Sequence, residues 1–393
     1  MTSLSRVAVG RPGPAVGIVH LGVGAFHRSH QAWYTDRVDD AGEWGIAGFT
    51  GRSAEAARLL EKQDGLYTLI TRSNQLDEAT IIGSLASVTD GADLDRLSRE
   101  LAAASTKLVT LTVTEAGYTA QAAVLTRLLN GLDARRRADA GPIAIVPCDN
   151  LPANGELLCT LLHELAGDEL RGWLTESVSF VNTSVDRITP AATAEDAAIA
   201  ESLTGWKDAS PVVAEPFHNW ILSGEFPADR PAWERAGAEF VDDIEPFERR
   251  KLWLLNAAHS ALAYLGPPRG HRTVGEAIDD SVCRAAVHEL WEEAGRHLPS
   301  VDVSAYCAQL LARWENRRIE HGLAQIALNG LEKLRVRVVP VALLELAAGR
   351  DAGACATVIG AWEVQTGGTL LELSPELADH TDFVKAVRER TPE

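Results

Sequence analysis

Cysteine is scarce in this chain, and its placement excludes two common structural devices. The 393 residues include five cysteines, which are Cys148, Cys159, Cys283, Cys307 and Cys355. None of them forms a C-x-x-C pair, so neither a disulfide framework nor a structural zinc site is predicted. No run of about 18 apolar residues occurs either, and no membrane-spanning helix is therefore predicted.

Positive charge is also in short supply. The chain has 37 lysines and arginines against 55 aspartates and glutamates, a net charge of −18. This balance argues against a nucleic-acid or an anionic membrane surface as the partner. Residues 1–13 lack the long apolar segment of a secretory signal. Together with the scattered cysteines, this leads us to expect a cytoplasmic protein, in which a local basic pocket for an anionic ligand is still possible.

Lysine is the rarer of the two basic residue types. The six lysines are Lys62, Lys107, Lys207, Lys251, Lys333 and Lys385, so 31 of the 37 basic residues are arginines. Burial can deprotonate a lysine, whereas an arginine stays charged in a protein. A lysine inside an apolar segment is therefore a candidate for acid–base chemistry.

The order of hydrophobic segments predicts two domains. Strands are predicted at residues 16–21, 44–50, 107–113, 142–147 and 177–182, with helices at 121–137 and 154–166 between them. This alternation is typical of βαβ units around a mostly parallel sheet. Segments 66–71 and 81–88 are interpreted as a hairpin or an insert. Beyond residue 245 the pattern is helical, beginning with a long helix that ends at Gly266. The predicted fold is thus an α/β domain over residues 1–245 followed by an α-helical domain over 246–393.

A glycine-rich turn follows the first predicted strand, in the segment IVHLGVGAFHRSH (18–30). Gly22 and Gly24 have the spacing of a dinucleotide-binding loop, but His27 stands at the third glycine position. The turn is either a pyrophosphate-binding loop or an ordinary strand–helix connection. The second strand ends without an acidic residue, at Thr50-Gly51-Arg52-Ser53. Arg52 would favour the 2′-phosphate of NADP, or it is a solvated loop residue.

The segment KLWLLNAAH (251–259) places polar side chains on an apolar helix. On a regular α-helix Lys251 and His259 lie about 80° apart, with Asn256 about 60° beyond His259. A desolvated lysine can take the proton of an alcohol, and an amide can bond an oxygen that gains charge. The alternative is that Lys251 continues the charged run before it and that His259 is a core histidine.

Several motifs together resemble the polyol-specific long-chain dehydrogenases, the family of mannitol 2-dehydrogenase and fructuronate reductase (D-mannonate oxidoreductase). In chain order they are GIVHLGVGAFHRSHQ (17–31), TLTVTEAGY (110–118), CDNLPANGE (148–156), NTSVDRITP (182–190), EPFHNWIL (215–222), the K-x4-N-x2-H signature (251–259) and RWENRRIEHGLAQIALNGLEKL (313–334). The resemblance implies a Rossmann-type domain followed by a helical domain. It also implies that His27 is a family variant of the loop.

The resemblance further implies metal-independent hydride transfer between an alcohol and a ketone of an open-chain sugar derivative, of the mannitol/fructose or mannonate/fructuronate type. Lys251 would be the general acid/base, and Asn256 and His259 would bind or polarise the reacting oxygen. Asn182, Arg313 and Lys333 would bind substrate. The implied cofactor is NAD, with NADP as the alternative. Its binding residues would be Gly22, Gly24, Ala25, Phe26, Arg52, Thr114, Glu115, Asp149 and Asn150.

The sequence departs from the family pattern on the substrate side. Arg317 stands where the family often has proline, Asn329-Gly330-Leu331 replaces Asp-Gly-Ser, and Ser223-Gly224 replaces an acid pair. These departures leave the substrate open. Two further readings stay open as well: a dehydrogenase of a phosphorylated hexitol, and a non-catalytic dinucleotide-binding protein. The resemblance favours a monomer or a weak dimer.

Overall fold

The chain forms two compact units, one up to Ile244 and one from Glu245 onward. The computed structural model describes residues 2–39, 42–51 and 53–390, without the side chain of Glu115. Arg52, predicted as a cofactor residue, therefore lies outside the described residues.

Strands and helices alternate through the first unit. Its strands are β1 (Val16–Leu21), β2 (Gly45–Phe49), β3 (Tyr67–Arg72), β4 (Asp77–Ile82), β5 (Leu85–Thr89), β6 (Leu108–Leu111), β7 (Ile143–Pro147), β8 (Val178–Phe180), β9 (Asn182–Asp186), β10 (Val212–Ala214), β11 (Asn219–Ser223) and β12 (Glu239–Phe240). Its helices are α1 (Arg6–Val9), α2 (Ala25–Ser29), α3 (Gln31–Val38), α4 (Glu55–Glu61), α5 (Leu94–Leu101), α6 (Ala123–Arg137), α7 (Asn154–Leu165), α8 (Asp168–Ser177) and α9 (Ala194–Thr204).

Six strands form a parallel sheet in the order β5-β2-β1-β6-β7-β8. This is the strand order of the doubly wound dinucleotide-binding fold, so the predicted Rossmann-type sheet is confirmed. The order reverses between β1 and β6, whose last residues Leu21 and Leu111 are register partners. In such sheets ligands bind at this reversal, outside the carboxyl ends of the strands.

Both faces of the sheet are buried. Ile18 and Leu108 pack on one face and Val19 and Val109 on the other, and all four side chains have at most 1% exposure. Strands covered on both faces need largely apolar sequence, as the segments VGIVHL and LVTL have. Their two polar side chains, His20 and Thr110, hydrogen-bond to each other at 2.7 Å. The sheet therefore forms a rigid support for the loops at its carboxyl edge.

Two sequence predictions within this unit are wrong in detail. Segment 81–88 is not one strand, because the chain turns at Gly83, whose amide donates to Asp36 Oδ1 at 2.7 Å. Residues before the turn end β4, which forms a hairpin with β3, while β5 joins the main sheet. Segment 177–182 likewise spans two strands, since β8 belongs to the main sheet and β9 pairs with β11 in a separate three-stranded sheet.

The second unit is helical, as predicted. Its helices are α10 (Glu245–Arg250), a π-helical turn (Lys251–Asn256), α11 (Ala257–Leu265), α12 (Val274–Asp279), α13 (Ser281–Gly295), α14 (Val303–Trp314), α15 (Leu323–Ala327), α16 (Gly330–Arg337), α17 (Val339–Ala347), α18 (Gly353–Thr366), α19 (Leu370–Leu373), α20 (Pro375–Ala378) and α21 (Thr381–Arg390). Helix α11 is buried along its whole length at the centre of one hydrophobic core. Across the described helices, none is long and apolar enough to cross a bilayer.

Candidate active site

Gly22 adopts a backbone conformation that the turn after β1 requires. Its φ is +103°, and a Cβ there would lie 2.0 Å from the carbonyl oxygen of Thr112. Only glycine fits, because β1 and β6 run side by side at this point. Gly24 has an ordinary extended conformation, and a Cβ there would meet only the carbonyl oxygen of Gly22, at 3.7 Å. Gly22 is thus demanded by the fold, whereas Gly24 leaves open space beside the turn.

A cavity of about 770 Å³ opens beside this turn. Its wall includes Gly22 after β1, Thr50 after β2, and Thr112 and Thr114 after β6. The half-buried Arg127 of α6 also lines it. The cavity lies at the sheet's reversal point, where this fold class binds ligands, and it is large enough for a cofactor.

The residues that follow the turn have structural contacts of their own. Ala25 and Phe26 begin α2, and the Phe26 ring stacks on His30 with 5.1 Å between centroids. His27 is fully buried against His20, with 3.3 Å between the ring centroids. Among the described residues neither ring nitrogen of His27 has a hydrogen-bond partner. Burial and the neighbouring His20 hold the pKa of His27 well below its usual value. The ring is therefore neutral and packs in the core.

Asp149 anchors the loop that follows β6. Its carboxylate accepts hydrogen bonds from the amides of Val113 (3.0 Å) and Thr114 (2.8 Å) and from the hydroxyl of Tyr118 (2.8 Å). Thr114 has a φ of +65°, a conformation that needs such support. Burial, together with the nearby carboxylate, raises the pKa of Tyr118, which stays a donor. Asp149 therefore acts on the cavity through Thr114, while Asn150, next in the chain, is exposed.

Asn182 joins two of the sequence motifs. Its side-chain oxygen accepts from the amides of Gly155 (2.8 Å) and Glu156 (3.2 Å) at the start of α7. Its amide nitrogen donates to Glu156 Oε1 at 3.0 Å. In the same way Asn154 bonds the backbone of Thr183 through both side-chain atoms. Hydrogen bonds thus link the segments 148–156 and 182–190, and Asn182 lies between them at intermediate exposure.

The candidate acid/base segment is not a regular α-helix. Residues Lys251–Asn256 form a π-helical turn in which the amide of Ala257 donates to the carbonyl of Leu252, five residues earlier. The angular spacing predicted from a uniform α-helix is therefore wrong for this stretch. π-Turns inside α-helices occur frequently at functional sites. This one carries Lys251 at its first position and Asn256 at its last.

The side-chain amide of Asn256 is a buried hydrogen-bond donor. The residue is only 7% exposed, and its side-chain nitrogen has no hydrogen-bond partner among the described residues. Its backbone carbonyl accepts from Arg337 Nη1 (3.2 Å) and from the Ser260 hydroxyl (3.2 Å). A buried amide without a protein partner indicates a place for a ligand oxygen.

His259 lies one turn beyond Asn256, in a positively charged environment. Its Nε2 is 3.2 Å from the indole Nε1 of Trp314, and its ring packs edge-on against His321. Burial is the main cause that holds the pKa of His259 well below its usual value. The charges of His321, Arg337, Arg313 and Lys251 lower the pKa further, in that order. His259 is therefore neutral at physiological pH.

The predicted substrate cations lie on separate helices. Arg313 is on α14 and is among the charges that act on His259. Lys333 is on α16, where its ammonium donates to the carbonyl of Ile326 at 2.9 Å. Arg337 was missed by the sequence prediction, although it is four residues after Lys333 on the same helix. In the described part of the chain no cluster of His, Cys, Asp and Glu side chains could hold a metal ion.

Both units match known protein families. Residues 16–235 match the mannitol dehydrogenase Rossmann domain, and residues 243–369 match the mannitol dehydrogenase C-terminal domain. The chain is 32% identical to the mannitol 2-dehydrogenase of Pyrenophora tritici-repentis, over 92% of this chain and 72% of that protein. It is also 32% identical to the D-mannonate oxidoreductase of Escherichia coli, over 89% of this chain and 80% of that protein.

A solved structure agrees with this assignment. Mannitol 2-dehydrogenase of Pseudomonas fluorescens, in a ternary complex with NAD and D-mannitol, is 30% identical and superposes with a TM-score of 0.83. The match covers 96% of this chain and 91% of that one. The chain therefore belongs to the mannitol dehydrogenase family of oxidoreductases.

Proposed function

We propose that the protein is an NAD(P)-dependent, metal-independent dehydrogenase of open-chain sugar acids, interconverting a 2-keto group and a secondary alcohol as in the fructuronate/mannonate pair. The observation that carries the proposal is the buried amide of Asn256, which no described residue bonds, beside the neutral His259 on the helix that carries Lys251. A protein that only bound a dinucleotide would not need this set of donors.

The first unit fits the cofactor. Gly22 supplies a turn that a Cβ would block, and the adjoining cavity includes Thr114, which Asp149 supports. We propose that Gly22, Gly24, Ala25, Phe26, Thr114 and Asp149 hold the dinucleotide directly or through the loops, with Arg52, Glu115 and Asn150 beside them. When bound, the nicotinamide ring supplies or accepts the hydride. NAD is favoured because the solved relative contains it. In this proposal residues 1–245 bind the cofactor and residues 246–393 carry the catalytic groups.

The side chains of the second unit supply the proton chemistry. In the oxidation direction the neutral amine of Lys251 takes the hydroxyl proton of the alcohol, and in the reduction direction its ammonium returns that proton to the carbonyl oxygen. Asn256 and His259 donate hydrogen bonds to the same oxygen, which gains negative charge during reduction. We propose that Asn182 also contacts the substrate. No metal is required in this scheme, because three N–H donors share the polarising role.

The charges around His259 favour an anionic substrate. Arg337, Arg313 and Lys251 all lie close enough to His259 to lower its pKa. A substrate carboxylate would be bonded by such guanidinium groups, with Lys333 as a further cation. A neutral hexitol of the mannitol/fructose type is the second candidate, because the solved relative contains D-mannitol. A cytoplasmic location and a monomeric or weakly dimeric state also remain predictions.

A substrate panel followed at 340 nm tests the proposal. Fructose, fructuronate, tagaturonate and fructose 6-phosphate are each offered with NADH and with NADPH. We expect oxidation of the nucleotide with fructuronate or tagaturonate. The variant Arg313→Gln should raise KM for the uronate at least tenfold, whereas Arg388→Gln, an exposed arginine on α21, should not change it.

Each other outcome contradicts a stated part of the proposal. Turnover with fructose alone would make the protein a hexitol dehydrogenase and leave Arg313 without a role in binding a carboxylate. Turnover with fructose 6-phosphate alone would indicate a phosphorylated hexitol as the substrate. Nucleotide binding without any oxidation would favour the non-catalytic reading.

A further inference from the structure

The hydrogen bond between Trp314 and His259 defines where the imidazole carries its proton. The indole Nε1 of Trp314 lies 3.2 Å from Nε2 of His259, and both side chains are buried. An indole N–H is a donor only, so Nε2 of His259 must be the acceptor. In a neutral imidazole the single proton is then on Nδ1. Among the described residues Nδ1 has no hydrogen-bond partner.

The surroundings of the ring prevent a second protonation. The charged and titratable groups that act most strongly on His259 are His321 before α15, Arg337 on α16, Arg313 on α14 and Lys251 at the start of the π-turn. All of them disfavour an imidazolium, and burial does so more strongly. The ring therefore stays neutral, and which nitrogen carries its proton depends on the Trp314 bond.

Trp314 is itself held in place from the π-turn. Its ring stacks on Trp291 with 5.7 Å between centroids and 20° between planes. The indole N–H of Trp291 donates to the carbonyl of Leu254, within the π-turn, at 2.8 Å. The donor to His259 is thus fixed relative to the same turn that carries Lys251 and Asn256.

We propose that Trp314 is a positioning residue that holds His259 as the Nδ1–H tautomer, so that His259 always presents a donor to the reacting oxygen. This inference rests on the proposed function. In the opposite tautomer a lone pair on Nδ1 would face the oxygen as it gains negative charge, and the polarising contact would be lost. A tyrosine or phenylalanine at position 314 could fill the space but could not donate from an indole.

The direct test is the tautomer of His259 in the protein without substrate. Two-dimensional ¹H–¹⁵N spectra of protein labelled at histidine distinguish Nδ1–H from Nε2–H rings, and a His259→Gln spectrum assigns the signal. We expect wild-type His259 to be the Nδ1–H form from pH 6 to pH 8. In Trp314→Phe, which keeps an aromatic ring against Trp291, we expect both tautomers.

Kinetics provide the second readout. Trp314→Phe should lower kcat about tenfold, the loss expected for one orienting hydrogen bond, with dinucleotide Kd within twofold of wild type. The control is Trp362→Phe, a buried tryptophan of the same core on α18. It should cost similar stability and leave both the tautomer and kcat unchanged.

The result that would overturn the inference is an Nε2–H ring in the wild-type protein, or an unchanged tautomer in Trp314→Phe. Both are measured without turnover, so they are distinguishable from failure of the proposed function. That failure would show instead as absence of oxidation across the substrate panel in the wild-type enzyme.

Discussion

At the scale of single residues, the turn after β1 separates two glycines that look equivalent in the sequence. Gly22 has a positive φ and lies against the Thr112 carbonyl, whereas Gly24 has an extended backbone that any residue can adopt. The conformational demand therefore falls on Gly22. The open space at Gly24 matters only for a ligand that approaches the backbone closely.

Because of this difference, alanine at Gly22 should lower stability, whereas alanine at Gly24 should weaken cofactor binding. Gly22→Ala should destabilise the fold by about 2–3 kcal/mol, because the added Cβ overlaps the Thr112 carbonyl at a strained φ. Gly24→Ala should have a free energy of unfolding within about 0.5 kcal/mol of wild type. It should nevertheless bind NADH at least tenfold more weakly. Urea unfolding and fluorescence titration measure the two quantities. Equal stability for Gly22→Ala would contradict the assigned role of Thr112.

Single-residue roles were only partly predictable from the sequence. The glycine spacing predicted the turn correctly, since a strand followed by Gly-x-Gly has few other conformations. That Asp149 lies beside the cofactor stays a prediction, and the sequence did not indicate that its carboxylate binds Val113, Thr114 and Tyr118. Those donors are more than 30 residues away in the chain, so no local pattern shows the contact. No local pattern indicates the role of Trp314 either, because its partner His259 is on another helix.

At the scale of elements, strand and helix order was predictable, but element boundaries and helix type were not. Hydrophobic periodicity identified β1, β6 and β7 within a few residues, because their burial on both faces requires a largely apolar run. The breaks at Gly83 and after β8 depend on hydrogen bonds to distant segments. The residues of the π-turn are equally suited to a regular α-helix. Only the hydrogen bond from the amide of Ala257 to the carbonyl of Leu252 distinguishes the two helix types.

Glu345 joins the end of helix α13 to helix α17 in the second unit. Its buried carboxylate accepts from Arg296 at the end of α13 (2.6 Å), from His297 (2.7 Å) and from Arg350 after α17 (2.7 Å). Burial alone would raise its pKa, but the hydrogen bonds from Arg350, Arg296 and His297 outweigh burial and lower the pKa to about 2. The carboxylate thus stabilises the fold above about pH 4.5, and this contribution is lost as the pH falls towards 2.

Replacing this carboxylate should weaken the helical unit. Glu345→Gln should lower the free energy of unfolding by about 2–3 kcal/mol at pH 7, because it leaves two guanidinium groups without their anion. The difference from wild type should shrink between pH 4.5 and pH 3. Glu332→Gln, which breaks an exposed pair with Arg335, should change stability by less than about 0.5 kcal/mol. A difference that stays constant with pH would contradict the assignment.

At the scale of the whole molecule, the proposed function divides the chemistry between the two compact units. The cavity at the sheet's reversal point lies in the first unit, and Lys251, Asn256 and His259 lie in the second. The sequence separated the two units because their patterns differ: strands alternate with helices before residue 245, and the pattern is helical after it. The substrate was harder to predict, because the cations proposed to bind it come from two separate helices, α14 and α16.

The measurement that tests the account most directly is turnover by Lys251→Met with the substrate that the panel identifies. Because Lys251 is assigned the proton transfer and the cofactor cavity is in the other unit, kcat should fall by about 10²–10⁴ while NADH Kd stays within twofold. Lys385→Met, an exposed lysine on α21, should behave as wild type. Wild-type turnover by Lys251→Met, with NADH binding intact, would show that the proton moves by another route and would contradict the proposed mechanism.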